Sequence, residues 1–225
     1  MAKKNKKRTK TSGTKRLSFP DDEKNRSWLK LLLEAYHIVD KGIAKAIGTE
    51  KNKGRKLACS KGCSSCCVTH KDIPIYPLEL VGITWYAAEK IFGETRDVLK
   101  EQLAGFEKNS ACPFLVSGAC SIHPLRPMAC RQFNVFNKPC EEGEDPFHSR
   151  REDVMDPVKK HVDQAFYVML PYYKVESESE RIRIIETGSF HRMAKELHSC
   201  NWKELAGKME RADKRNVKCQ SSNAK

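Results

Sequence analysis

Trp28, Leu31, Leu32, Ala35, Val39, Ile43 and Ala46 recur at helical spacing. One apolar stripe of this kind predicts an amphipathic helix over 26–47. Pro20-Asp21-Asp22-Glu23 supplies a favourable helix start ahead of it, and Gly48 a stop. After a polar connector over 49–58, the alternation of Ile73 and Ile75 reads as a short strand within 68–76, with Pro74 favouring a sheet edge. Helices are predicted from Pro77 to Phe92, with Gly93 as the break, and over 94–108. Two short apolar pieces flank the turn pair Ser117-Gly118. A further strand is expected over 131–136 and a loop over 138–156. Val158, Val162, Ala165, Phe166, Met169 and Leu170 form another helical stripe, ended by Pro171. Helices over 178–187, 189–198 and 202–215 complete the pattern.

The cysteines change this picture. Ten occur in 225 residues, and eight fall in two groups. Cys59, Cys63, Cys66 and Cys67 form the run CSKGCSSCC, and Cys112, Cys120, Cys130 and Cys140 follow. No segment approaches a membrane span, and residues 1–16 lack the apolar stretch of a secretory signal, so the chain reads as cytoplasmic. Thiols stay reduced there, and clustered ones bind metal more often than they pair. Thiolates serve zinc, which takes four in a tetrahedron, and iron–sulfur clusters, which also take four. Eight thiols leave three arrangements open: two mononuclear sites, one cluster, or one site plus bystanders. Adjacent Cys66 and Cys67 serve one metal only where the backbone is irregular. Lys61, Arg126 and Arg131 are candidate cations to offset thiolate charge. His123, in CSIHP, and His70 are candidate histidines, each read more readily as a hydrogen-bonding neighbour of the site than as a ligand. Cys200 and Cys219 lie far from both groups and read as ordinary thiols, and His191 and His198 as an exposed helical face.

CSKGCSSCC followed by CPFLVSGACSIHPLRPMACRQF resembles the YkgJ-type cysteine-cluster family, the CxxCxxCC group of zinc- or iron-chelating domains. The likeness covers roughly residues 57–140. It places Cys63, Cys66, Cys67, Cys112, Cys120 and Cys130 on family cysteines, with Cys59 opening the first run. Cys140 lies just beyond the core match. The resemblance implies metal chelation and no particular reaction.

Net charge is +13, and residues 1–16 hold eight of the basic side chains and no acid, which leaves about +5 for the rest. Such a segment is expected to be disordered and to touch RNA or another polyanion weakly. No phosphate-binding loop, nucleophile elbow or HExxH is present, so catalytic and organic-cofactor residues are undefined. The expected fold is mostly α with a small irregular α+β cysteine-rich metal module. Its parts are a disordered basic tail over 1–20, a helix and connector over 21–56, the module over 57–147, C-terminal helices over 148–216 that pack on it, and a polar tail over 217–225. The expected function is chelation of Zn2+ or iron, the iron as an ion or an iron–sulfur cluster, by Cys59, Cys63, Cys66, Cys67, Cys112, Cys120, Cys130 and Cys140. Two alternatives stand beside it: an iron–sulfur or iron-dependent enzyme or electron carrier, and an RNA-associated factor with a structural metal.

Overall fold

The computed structural model describes residues 14–222, with side chains described as far as residue 215. The helices are α1 (Pro20–Asn25), α2 (Ser27–Asn52), α3 (Ser65–Thr69), α4 (Pro77–Glu89), α5 (Gly93–Ala104), α6 (Met128–Gln132), α7 (Pro146–Ser149), α8 (Lys159–Met169), α9 (Glu178–Glu186) and α10 (Trp202–Ser222). Four two-residue strands make two antiparallel pairs. β1 (Pro74–Ile75) pairs with β4 (Lys195–Glu196), and β2 (Leu115–Val116) with β3 (Ala119–Cys120). The protein is mostly α with little sheet, as the pattern predicts.

Two apolar cores organise these elements. In the first, Leu29, Leu32, Leu33, Tyr36 and Val39 of α2 meet Ala165, Phe166 and Met169 of α8, with Trp85, Met128 and Phe190. In the second, Ile83 and Ala87 of α4 meet Leu99 and Leu103 of α5, Phe114 beside the β2–β3 hairpin, and Trp202, Leu205 and Met209 of α10. α4 therefore joins the cores, one face to each. The hairpin turns at Ser117 and Gly118, both with positive φ (49° and 75°), which suits the twist of paired strands.

Several expectations are corrected. α2 runs through Gly48 to Asn52, and the turn comes at Gly54, with φ 85°. Ser65–Thr69 is helical, so only Pro74–Ile75 remains strand. Residues 131–136 are not a strand: Arg131 and Gln132 end α6, and only Val135 and Phe136 make isolated bridges, to Val154 and Leu57. The segment 189–198 is not one helix, because Lys195–Glu196 is drawn out to pair with β1 between two short 3-10 turns. α7 interrupts the expected loop over 138–156. Of the expected basic tail, residues 1–13 lie outside the described residues. Arg16, by contrast, pairs with Glu23 and Glu34, and Phe19 packs edge-on against Trp85. At the other end, α10 continues through residue 222 where a polar tail is expected from 217.

Candidate metal centre

A cavity of about 600 Å3 opens beside the second core. Its lining includes Cys59, Cys63, Cys66, Cys67, Cys112, Cys120 and Cys130. Local structure explains how residues so far apart reach it. Gly62, at φ 89°, reverses the chain into α3, and this single helical turn carries Cys66 and Cys67 together. The Cys112 amide donates to the Cys67 carbonyl at 2.7 Å, locking the entry to the hairpin against α3. The hairpin brings Cys120, and α6 brings Cys130. The Cys59 Sγ accepts from the Val135 amide at 3.3 Å. Cys140 does not line the cavity, although the Cys59 and Cys63 thiols are near enough to add to its shift. Cys200 lies elsewhere, its thiol directed to the Glu196 carbonyl, and the Cys219 side chain lies outside the described residues.

The thiols fall into an inner and an outer set. Cys67 is pushed up to about 12, first by its contact with Cys112. Cys66 is raised well out of the usual thiol range by Cys67 and then by burial. Burial raises Cys120 and Cys130, and Cys66 adds to both. Farther out, burial raises Cys59 and Cys140, with Cys63 contributing to each. Protonated thiols crowded in this way bind a cation by releasing protons, so their combined field favours a metal over separate thiolates.

Arg126 lines the cavity and opposes the upward shift of Cys59, Cys66 and Cys120. Its NH1 lies 2.6 Å from His123 Nε2, and it makes no ion pair with a carboxylate among the described residues. Arg131, the other candidate cation, is turned into the first core. It pairs with both Asp40 oxygens at 3.0–3.1 Å, donates to the carbonyls of Arg126 and Pro124, and lies 4.1 Å above the Tyr36 ring. Lys61 lines the outer rim. His70 and His123 both line the cavity, each held below the usual histidine value chiefly by burial. His191 and His198 do not form one exposed face: His198 is buried, and His191 Nδ1 lies 2.7 Å from the Tyr76 hydroxyl.

Among the described residues, no three His, Cys, Asp or Glu side chains already stand as a group ready to hold an ion. The donor set nevertheless fits a soft metal, because the thiols share one cavity with Arg126, which has no carboxylate partner among the described residues. Sequence reading missed Glu79 and His148, and it read Asp145 only as one of the acids over 141–145, which could hold a hard cation but fit a solvated loop better. Glu79 carries only the signal of an acid two residues after a helix-opening proline, and Asp145 that of an N-cap before proline.

A mostly helical frame thus gathers seven thiols on one cavity, the arrangement of a cysteine-rich module. Residues 58–156 match the family model CxxCxxCC, described as "Putative zinc- or iron-chelating domain". The match supports metal binding by this segment, and it extends past Cys140, farther than the motif resemblance reaches. No curated protein and no solved structure matches the chain. No helix among the described residues is long and apolar enough to cross a membrane.

Proposed function

We propose that this protein chelates zinc or iron through Cys59, Cys63, Cys66, Cys67, Cys112, Cys120 and Cys130, with Cys140 beside the outer set. One observation carries the reading: seven of the eight clustered thiols face a single cavity. One tetrahedral ion takes four thiolates. Seven donors therefore favour a polynuclear centre, either two ions sharing ligands or an iron–sulfur cluster with spare thiols. Arg126 supports such a centre by offsetting part of its negative charge, and the Val135 amide supports it by donating to Cys59, since both kinds of contact tune thiolate sites. The cavity is large enough for a small molecule next to the metal, which favours the iron-dependent enzyme or electron carrier over a purely structural ion. The test is metal analysis with a visible spectrum of protein purified without oxygen. Bound metal that is lost in Cys66→Ser and Cys130→Ser is the expected result. A brown, reducible protein selects the cluster, and a colourless zinc protein the chelator. Folded wild-type protein that takes up neither metal overturns the proposal.

A further inference from the structure

The cavity has a second wall, built from nitrogen and oxygen donors. His70 follows α3, its amide donating to the Cys66 carbonyl at 3.1 Å. Its ring stands edge-on to Phe133, with centroids 4.3 Å apart, and its side chain is 11% exposed. The ring's Nε2 is buried without a hydrogen-bond partner, yet lies 3.3 Å from Asp145 Oδ1. Asp145 is itself fixed, because its Oδ1 accepts from the Phe147 amide at 2.9 Å and so caps α7. One turn along, the His148 Nε2 stands 3.9 Å from Asp145 Oδ2. The spacing of three puts Asp145 and His148 on the same side of that turn. A single carboxylate thus stands between two imidazoles, one oxygen toward each, and all three residues line the cavity.

A salt bridge does not account for this group, since burial holds His70 toward its neutral form despite Asp145. A buried ring nitrogen left unpaired beside a carboxylate calls for a further partner. Two imidazoles and a carboxylate with open positions form a donor set that suits a first-row divalent cation. We propose that His70, Asp145 and His148 hold a second metal ion, zinc or ferrous iron, in the same cavity as the thiols. The site would carry net positive charge beside a negatively charged thiolate centre, so each would favour the other. His70 and Asp145 are already in place. The His148 side chain is 76% exposed, and its ring would have to turn toward them to complete the set.

The test uses the full chain with its thiols first filled with zinc, which is colourless; a weak chelator then strips any zinc held by nitrogen and oxygen ligands while the thiolate-bound zinc stays, and the protein is titrated with Co2+. The expected result is one equivalent of cobalt bound with weak visible bands and no sulfur-to-cobalt charge-transfer band. Asp145→Asn keeps an N-cap oxygen, and His148→Ala changes an exposed side chain, so both variants should fold. Each should weaken cobalt binding at least about tenfold, the loss that follows removal of even a supporting residue at a metal site, while zinc content is unchanged. No cobalt bound, a strong charge-transfer band, or wild-type affinity in both variants overturns the proposal. Failure of the thiol reading would show separately, as no zinc taken up in the loading step.

Discussion

Glu79 shows how much one side chain does here. It is fully buried, and its carboxylate accepts from the Tyr76 amide at 3.1 Å and the Met128 amide at 2.7 Å. It therefore fastens the start of α4 to the start of α6, the helix that presents Cys130. Burial outweighs these donors and lifts its carboxyl to about 7 from the ordinary 4.5. The folded protein then holds a proton there that the unfolded chain releases, so the contribution is full below about pH 4.5 and lost as pH rises through about 7. At about 1.4 kcal/mol per pH unit this amounts to about 3 kcal/mol. Glu79→Gln has no such ionisation. The stability of wild type relative to Glu79→Gln, from urea unfolding, should fall by that amount between pH 4.5 and 8. A difference that stays constant with pH would show that the carboxyl is not held protonated. The sequence placed Glu79 at a helix start but not in the core, because the amide it binds lies 49 residues away.

At the scale of elements, the helices legible in the sequence are those whose own spacing buries a face. α2 and α8 keep the stripes read from their apolar residues. Failures fall where a distant partner decides. Lys195–Glu196 is strand only because Pro74–Ile75 is there to receive it, and Arg131 is helical where Glu79 caps the preceding turn. Gly48 and Gly42 make the same point within one helix. At Gly48 nothing lies within 4 Å of an added Cβ, so the glycine neither stops the helix nor serves packing. Gly48→Ala should stabilise by about 0.5–1 kcal/mol through helix propensity alone. At Gly42 an added Cβ would sit 2.7 Å from the Cβ of His161 on α8, an atom its helix cannot move aside. Gly42→Val should destabilise by roughly 1–3 kcal/mol by forcing the two helices apart. Chemical unfolding of the pair should give opposite signs. Equal signs would mean that α2 and α8 do not pack this closely.

For the whole molecule, the cavity's thiols were legible because cysteine is scarce and its clustering is visible without any knowledge of the fold. Its second wall was not, because His70 and Asp145 meet only after the 74 positions between them have folded, and nothing in the spacing of single histidines and aspartates marks that encounter. The same architecture says which part depends on metal. The hairpin and α6 are anchored in the two cores by Phe114, Ile122 and Met128. α3 has no buried residue, and apart from the Cys112 amide on the Cys67 carbonyl and the packing of Cys67 on the second core, the stretch around it is held by local hydrogen bonds such as Cys63 to Ser60 and His70 to Cys66. Ligand bonds, worth on the order of 10 kcal/mol in a structural zinc site, would then be the main force ordering the first cysteine run. Chelation should therefore release amide protection first over 59–71, later at the hairpin and α6, and least in α2 and α8. Cys66→Ser should reproduce the pattern without a chelator. Hydrogen exchange measured with and without metal reads all of this in one experiment. Protection over 59–71 that survives verified metal removal would show that the thiols there are not what holds this segment.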